Sequence, residues 1–540
     1  MHLRNLSSVP KSIARIDYDI PERYRNAFFL ANAAFFDSTN WFLHRAYEAV
    51  FPILKNSYRE HFQSLHVNDS NIHEKLENIV ESIDQCNSIL DVRFPVKREN
   101  GKLEVIRGFR AHYGEAIGNT PCLGGFRIHS SITRDHIKAL ALLSAMKNFC
   151  IGTGLSGAMG GIKVNPKEYS ECELKEIVSL YVTELYKKGY CKYSLTNLKK
   201  FQIIFGLQGN HTDIVHPDVN TSAKEMSWVQ ETFSKCSGQS LNAASTGKPL
   251  ECGGVENYDI AAALGAFKAL ETFINNGEIM LKTGCIKTGL KNKRFIIQGL
   301  GKVGRPLGVM LIENGAICVG VKEEDAYLYD AKGIDLYELY KYKDDHGTIE
   351  NFGISKTEFP DSIFTEECDI LVLAARQKSL VCYIARDVKA RVILEASDGP
   401  VTPTSHKILT TKSKLVVPDI YASAGAAVIS YFEYLRNLQQ IGLPTDNVLR
   451  FSTNIHQQIF QSMNQAQLKV NGSSQTQYNV FLPLDHNFCT NSIECVYSSV
   501  GQEIIKNLEQ FKLGIDVRTA AYTVAIQNMF KIFFQQKILI

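Results

Sequence analysis

No apolar run in this 540-residue chain approaches the roughly 18 residues that a bilayer-spanning helix needs; Ile137–Met146 is short and begins beside Lys138. Cysteine pairs at metal or redox spacing are also missing. The 13 cysteines lie scattered from Cys86 to Cys495 without one CxxC, which excludes the usual zinc ribbon and the thioredoxin-like centre, so no metal site is expected. A secretory apolar segment is absent too, and with it the case for a disulfide framework; buried reduced thiols are the expectation. Neither sign of charge dominates. With 59 Lys+Arg against 56 Asp+Glu and a net charge of +3, nucleic acid and anionic membranes are excluded as main partners. Proline and glycine, at 15 and 37 residues, are too sparse for a collagenous or Pro-rich chain.

What is present is the composition of a folded protein. Hydrophobic residues make up 45% and charged residues 21%, enough to build cores in two to four domains. The N-terminus stands apart: Arg4, Lys11, Arg15 and three serines precede Asp17, the first acidic residue. That start suits either a mitochondrial presequence or an ordinary basic tail.

Periodicity divides the rest. The first hundred residues read as mainly helical, with Ile72–Leu90 carrying apolar residues at three- and four-residue spacing. Ser88–Val96 and Lys102–Phe109 alternate around Glu99-Asn100-Gly101, a β-hairpin with an Asn-Gly turn. Helices are expected over Arg134–Cys150 and after Ser170, a suitable N-cap. Between them, Gly152–Gly161 is so rich in glycine that a ligand-approaching loop is predicted rather than a helix or central strand. From Asn292 strands and helices alternate. Arg294–Gln298, Ala316–Val321, Asp369–Ala374, Arg391–Glu395 and Leu415–Pro418 supply a parallel sheet.

The first of these strands runs into Gly299-Leu-Gly-Lys-Val-Gly304 and then a helix carrying Val303 and Leu307, with Glu323 just past the second strand. That is the full dinucleotide-binding context. Gly299 makes the tight turn, Gly301 lets backbone approach a pyrophosphate, and Gly304 lets helix and strand pack. Glu323 can accept hydrogen bonds from ribose hydroxyls, which favours NAD over NADP.

Many stretches then carry a resemblance. They include Gly108-Phe-Arg-Ala-His112, Thr120-Pro-Cys-Leu-Gly-Gly-Phe-Arg127, Gly160-Gly-Ile-Lys-Val-Asn-Pro166, Thr246-Gly-Lys-Pro249, Pro418-Asp-Ile-Tyr421, Ser430-Tyr-Phe-Glu433 and Leu513-Gly-Ile-Asp-Val-Arg-Thr-Ala-Ala-Tyr522. In family order from about Asn56 to Phe534, they resemble the glutamate dehydrogenases of the Glu/Leu/Phe/Val dehydrogenase family, the animal mitochondrial hexameric branch. The resemblance implies an α/β fold: an N-terminal α/β substrate and oligomerisation domain, then a Rossmann-like dinucleotide-binding domain with a helical antenna. The implied boundaries are 1–55 for the extension, 56–260 for the substrate domain with an insertion at about 190–207, and 261–436 for the NAD(P)-binding domain. An antenna-like region at 437–511 and a C-terminal helix at 512–540 follow.

By the same resemblance, Lys147 matches the lysine that pairs with the substrate α-carboxylate, Asp218 the proton-handling aspartate, and Ser430 the serine near the side-chain carboxylate. Three positions depart. Leu123 and Leu264 stand where the family has substrate-site cations, and Met159 stands in place of the catalytic lysine. Ser423 and Asp398 replace family asparagines at the nicotinamide end, so Asp398 is expected to place negative charge near that ribose. A charged hydrogen bond contributes about 1.5–3 kcal/mol, so two lost contacts weaken substrate binding by roughly 3–6 kcal/mol. Methionine has no titratable group, and a lost proton-transfer residue costs a factor of about 10² to 10⁴. The expected function is therefore a dehydrogenase of the glutamate type, impaired in oxidising L-glutamate to 2-oxoglutarate with NAD(P). The alternatives are a non-catalytic scaffold subunit, or a dehydrogenase for a less polar amino acid. The resemblance further implies a homo-hexamer, or a mixed hexamer with an active paralogue, in the mitochondrial matrix.

Overall fold

The computed structural model describes residues 18–26, 30–31, 33–61, 69–114, 120–190, 213–285, 287–353, 355–358, 360–438 and 488–535. The basic start, all of the expected insertion beyond Tyr190, and most of the antenna-like region lie outside these residues.

Among the described residues, a 3-10 turn at Glu22–Arg25 precedes two long helices, α1 (Phe35–His61) and α2 (Asp69–Ile83). The first sheet follows, built from β1 (Ser88–Lys97), β2 (Leu103–Tyr113), β3 (Cys122–Ile128), β4 (Ser156–Ile162) and β5 (Asp213–Pro217) in the order β1-β2-β4-β3-β5. The β1–β2 hairpin forms as expected, in register from Ser88↔His112 to Lys97↔Leu103, with Gly101 at positive φ in its turn. Helix α3 (Arg134–Cys150) connects β3 to β4 and starts at Thr133, whose hydroxyl accepts from the His136 amide. After β4, helix α4 (Glu171–Lys187) opens on a capping box between Ser170 and Glu173. Helix α5 (Ala223–Ser237) follows β5.

The glycine-rich segment corrects the loop expectation: Ser156–Ile162 is β4, the central strand of this sheet. Composition argued against a strand, but close packing demanded those glycines. A Cβ on Gly157 would lie 2.3 Å from the Ala145 amide of α3, and one on Gly160 would lie 2.6 Å from the Tyr181 hydroxyl on the other face. At those two positions the strand lies too close to its neighbouring helices to carry a side chain.

The second sheet comprises β6 (Arg294–Gln298), β7 (Ile317–Lys322), β8 (Tyr327–Tyr329), β9 (Ile370–Leu373), β10 (Val392–Glu395) and β11 (Leu415–Val417), ordered β11-β10-β9-β6-β7-β8. Its strands are parallel except β8, a short antiparallel edge that periodicity did not reveal. Helices α6 (Ala261–Ile274) and α7 (Gly277–Lys282) precede it, and α8 (Gly304–Glu313) crosses from β6 to β7. Next come α9 (Leu336–His346), α10 (Cys382–Ala385), α11 (Pro403–Thr411), α12 (Asp419–Ala422) and α13 (Gly425–Asn437). Because the chain leaves β6 toward β7 and later returns to β9 on its other side, the strand order reverses at β6. Ligands of open α/β sheets bind at such a switch point.

The last described helices are α14 (Phe488–Gln510), packed on α6, and α15 (Val517–Gln535), which returns to pack on α1 and α3 of the first unit, the part built on the first sheet, as the second unit is on the second sheet. Arg518 of α15 is fully buried. It reaches Glu395 at 2.5 Å and Asp419 at 3.2 Å, while Asp419 accepts from the Gly399 amide at 2.8 Å. This chain of bonds ties the last helix to the loop carrying Asp398. Burial, only partly offset by Arg518, pushes the Glu395 carboxyl up to about 7. Among the described residues, no helix is long and apolar enough to cross a membrane, and no group of three or more His, Cys, Asp or Glu could hold a metal ion.

Candidate active site

Strand pairing brings four positions into one row: Ala111 of β2, Met159 of β4, Gly125 of β3 and His216 of β5. Directly paired residues project to the same face, so Met159 and His216 flank Gly125. A Cβ on Gly125 would lie 3.1 Å from the Met159 sulfur and 3.3 Å from Asp218 Oδ2. Met159 and Asp218 thus meet over a glycine that leaves space between them. Leu123, two residues before Gly125 on the same face, is fully buried, and its carbonyl accepts from Ser144 Oγ at 2.7 Å and Asn148 Nδ2 at 3.2 Å on α3. These bonds fix α3, and with it Lys147, over the row.

Every charge at this row is answered by the chain itself. Lys147 Nζ donates to Asp398 Oδ1 at 2.5 Å, a contact between the first unit and the second. Burial pushes the Lys147 ammonium down, but Asp398 outweighs it and holds the lysine above its ordinary value; Lys147 in turn keeps the half-buried Asp398 carboxyl below the usual range, against the desolvation that raises it. Arg127 donates from Nε to Asp218 Oδ2 at 2.7 Å, and its Nη2 lies 3.9 Å from Asp398. Two cations and two carboxylates therefore alternate, with no net charge. Burial holds His216 below the ordinary imidazole value, so it adds no cation near neutral pH. Asp398, expected to place negative charge near the cofactor ribose, is engaged by Lys147.

The other expected residues fall on the second unit. Ser430 on α13 is buried and shares a 2.7 Å hydrogen bond with the Tyr258 hydroxyl. Leu264 lies in the first turn of α6, almost wholly buried. At β6 the phosphate loop has the expected geometry. Gly299 sits at φ 91°, and a Cβ on Gly304 would lie 1.8 Å from the Gly299 carbonyl oxygen. Nothing lies within 4 Å of a Cβ placed on Gly301, and Val303 stands at the N-cap position of α8 with no side-chain capping bond. The loop fits a dinucleotide: the turn only glycine allows, an open side at Gly301 and a helix N-terminus behind it. Glu323 stands at the end of β7, where its Oε1 accepts from the Leu300 amide at 2.5 Å and from Lys343 Nζ at 2.7 Å. Lys302 of the same loop donates to the Thr221 carbonyl of the first unit at 2.6 Å, a second bridge between the two units.

Motif reading did not assign functions to Arg127, His216, Tyr258 or Lys343. Arg127 lies four residues after Leu123 in a quoted motif, and strand alternation could have placed it beside Asp218. Lys343 is 20 residues from Glu323 on a separate helix, and only folding joins them.

Two family models match: residues 86–235 match "Glu/Leu/Phe/Val dehydrogenase, dimerisation domain", and residues 253–482 match "Glutamate/Leucine/Phenylalanine/Valine dehydrogenase". The mitochondrial glutamate dehydrogenase of Dictyostelium discoideum is 32% identical over 367 residues, covering 67% of this chain and 69% of that protein. The glutamate dehydrogenase of Thermotoga maritima is 29% identical over 453 residues, covering 84% and 91%. In fold, the chain matches the hetero-hexameric glutamate dehydrogenase of Thermus thermophilus in its leucine-bound form, with a TM-score of 0.66, 24% identity, and 89% and 96% coverage.

Proposed function

Because this chain belongs to the Glu/Leu/Phe/Val dehydrogenase family of oxidoreductases, we propose that it is a glutamate-dehydrogenase-type subunit that retains dinucleotide binding but has lost most L-glutamate oxidation. The observation that carries this reading is the 2.5 Å contact of Asp398 with Lys147. A substrate that brings two carboxylates needs a surplus of cations, and here the chain's own carboxylates already satisfy Lys147 and Arg127. Leu123 and Leu264 add none.

A bound NAD(P) supplies hydride acceptance, and the chain's residues must do the rest. The glycine loop and the N-terminus of α8 would hold a pyrophosphate, and Glu323, which accepts from the Leu300 amide, would take hydrogen bonds from an adenosine ribose, which supports NAD over NADP. Deprotonating the substrate amine requires a base at the row facing α3. Asp218 is there, but its Oδ2 accepts from Arg127 Nε and forms an ion pair with Nη2, and the neighbouring Met159 has no proton to exchange. Binding of the cofactor can thus outlast turnover.

The subunit is proposed to act within a hexamer, either of its own copies or mixed with an active paralogue, in mitochondria. The hetero-hexameric Thermus relative and the mitochondrial Dictyostelium relative support those two points. Leu123 and Leu264 favour a second reading, a dehydrogenase for a less polar amino acid, although that chemistry still lacks a lysine at Met159. NADH binding followed by fluorescence, run beside a turnover panel of amino acids with NAD and NADP, tests both. We expect NADH binding with little or no glutamate turnover, and partial recovery on combining Met159→Lys, Leu123→Lys and Leu264→Arg. Wild-type glutamate oxidation at family-like rates would refute impairment. Turnover of an apolar amino acid would establish the second reading.

A further inference from the structure

The turn between α7 and β6 holds a pair of reactive groups outside the dehydrogenase site. Lys293, immediately before β6, donates from Nζ to Cys285 Sγ at 3.0 Å. Each residue is only 8% exposed, and among the described residues no carboxylate lies within ion-pair distance of this amine. A buried amine ordinarily faces a carboxylate or a ring of carbonyls; here it faces a thiol. Both ends are held by backbone bonds. The Cys285 amide donates to the Met280 carbonyl at 3.1 Å, the Lys293 amide donates to the Leu290 carbonyl at 3.0 Å, and Arg391 donates to the Gly284 carbonyl. The neighbours Lys282, Gly284 and Lys287 are exposed, so the sulfur lies one residue beneath the surface of the turn.

We propose that Cys285 and Lys293 are a modification site, forming a covalent sulfur–nitrogen cross-link when the protein meets a peroxide. In the first step the sulfur attacks one oxygen of hydrogen peroxide. The O–O bond breaks, an S–O bond forms, and one water leaves, giving the sulfenic acid. In the second, the lone pair of the Lys293 amine, its extra proton given up to solvent, attacks the sulfur. The S–O bond breaks, an S–N bond forms, and a second water leaves. Sulfur is oxidised by two electrons, the peroxide is reduced, and the product is lighter than the dithiol-reduced protein by two hydrogen atoms. Sulfenic acids are known to condense with nitrogen in this way at backbone amides; a side-chain amine already at 3.0 Å is the better nucleophile. The cross-link closes the loop from Cys285 to Lys293 at the base of β6, the strand whose far end carries Gly299. It also stops further oxidation at Cys285.

The test is peptide mapping of the full chain after hydrogen peroxide, digested with trypsin without reductant. The expected product joins the Cys285 and Lys293 peptides, lacks two hydrogens, resists cleavage after Lys293, and reverts with dithiothreitol. Cys285 left unmodified while exposed thiols such as Cys172 oxidise, or found as sulfinic acid beside a free Lys293, overturns the proposal. Lys293→Arg keeps the charge but not the reactive amine. It should abolish the cross-link and raise the sulfinic fraction at Cys285 severalfold, and equal sulfinic fractions in the two proteins would also overturn it. The wild-type map decides the matter should the variant fold poorly, and neither result depends on the reading of the substrate site.

Discussion

Asp398→Asn isolates the contact on which the functional reading turns. Asparagine keeps the shape of the side chain and removes the charge that Lys147 holds at 2.5 Å. A charged hydrogen bond contributes about 1.5–3 kcal/mol, so a ligand carboxylate freed from competition with Asp398 should gain roughly ten- to a hundredfold in affinity. Leaving Lys147 without its counter-charge also destabilises the fold. The side chains of Lys147 and Asp398 are 14% and 27% exposed, so the cost should fall below the about 3–5 kcal/mol of a fully buried broken pair. Titration calorimetry with L-glutamate and 2-oxoglutarate, in the presence of NADH, measures the first effect, and a thermal melt measures the second. Adding either ligand should restore part of the lost stability, because it binds only the folded variant. If the variant binds neither ligand better than wild type does, Lys147 is not the carboxylate site. If wild type already binds glutamate tightly, Asp398 is not closing it.

Three further outcomes follow from how charges are paired. Glu395 titrates near 7 in the folded chain against 4.5 for an ordinary glutamate, so the folded state holds a proton that the unfolded chain releases between those values. Its contribution is full below the ordinary value and is lost as pH rises through about 7. Glu395→Gln should flatten that decline in denaturant melts run from about pH 5 to about pH 8. Asp213→Asn removes the partner of the buried Arg110, bonded at 2.8 Å beneath Gly125, and should destabilise by about 3–5 kcal/mol in urea. Glu323→Ala leaves Lys343 uncompensated beside the phosphate loop; the ratio of NADPH to NADH affinity should rise, as fluorescence titration of both cofactors will show.

The two kinds of information separate residue by residue. The hairpin, the α3 and α4 helices and the β6–loop–α8 unit were legible because each rests on local rules: alternation, a capping Ser170, and glycines at turn positions. Gly152–Gly161 was misread because its glycines answer to α3 and Tyr181, neighbours supplied by the fold. Edge strand β8 was missed because three residues carry too little pattern.

The site divides along the same line. The chain's order alone determined that Met159, Leu123 and Leu264 bring no charge, and that Gly299 to Gly304 can turn against a pyrophosphate, since both depend on residue type and local spacing. Tertiary structure decided where the remaining charges go. Lys147 and Asp398 are 251 positions apart, as are no local motif's partners, and they meet because α15 and Arg518 hold the Asp398 loop against the first unit. Ion pairing is governed by distance through space, and a buried cation takes the nearest carboxylate whatever its place in the chain.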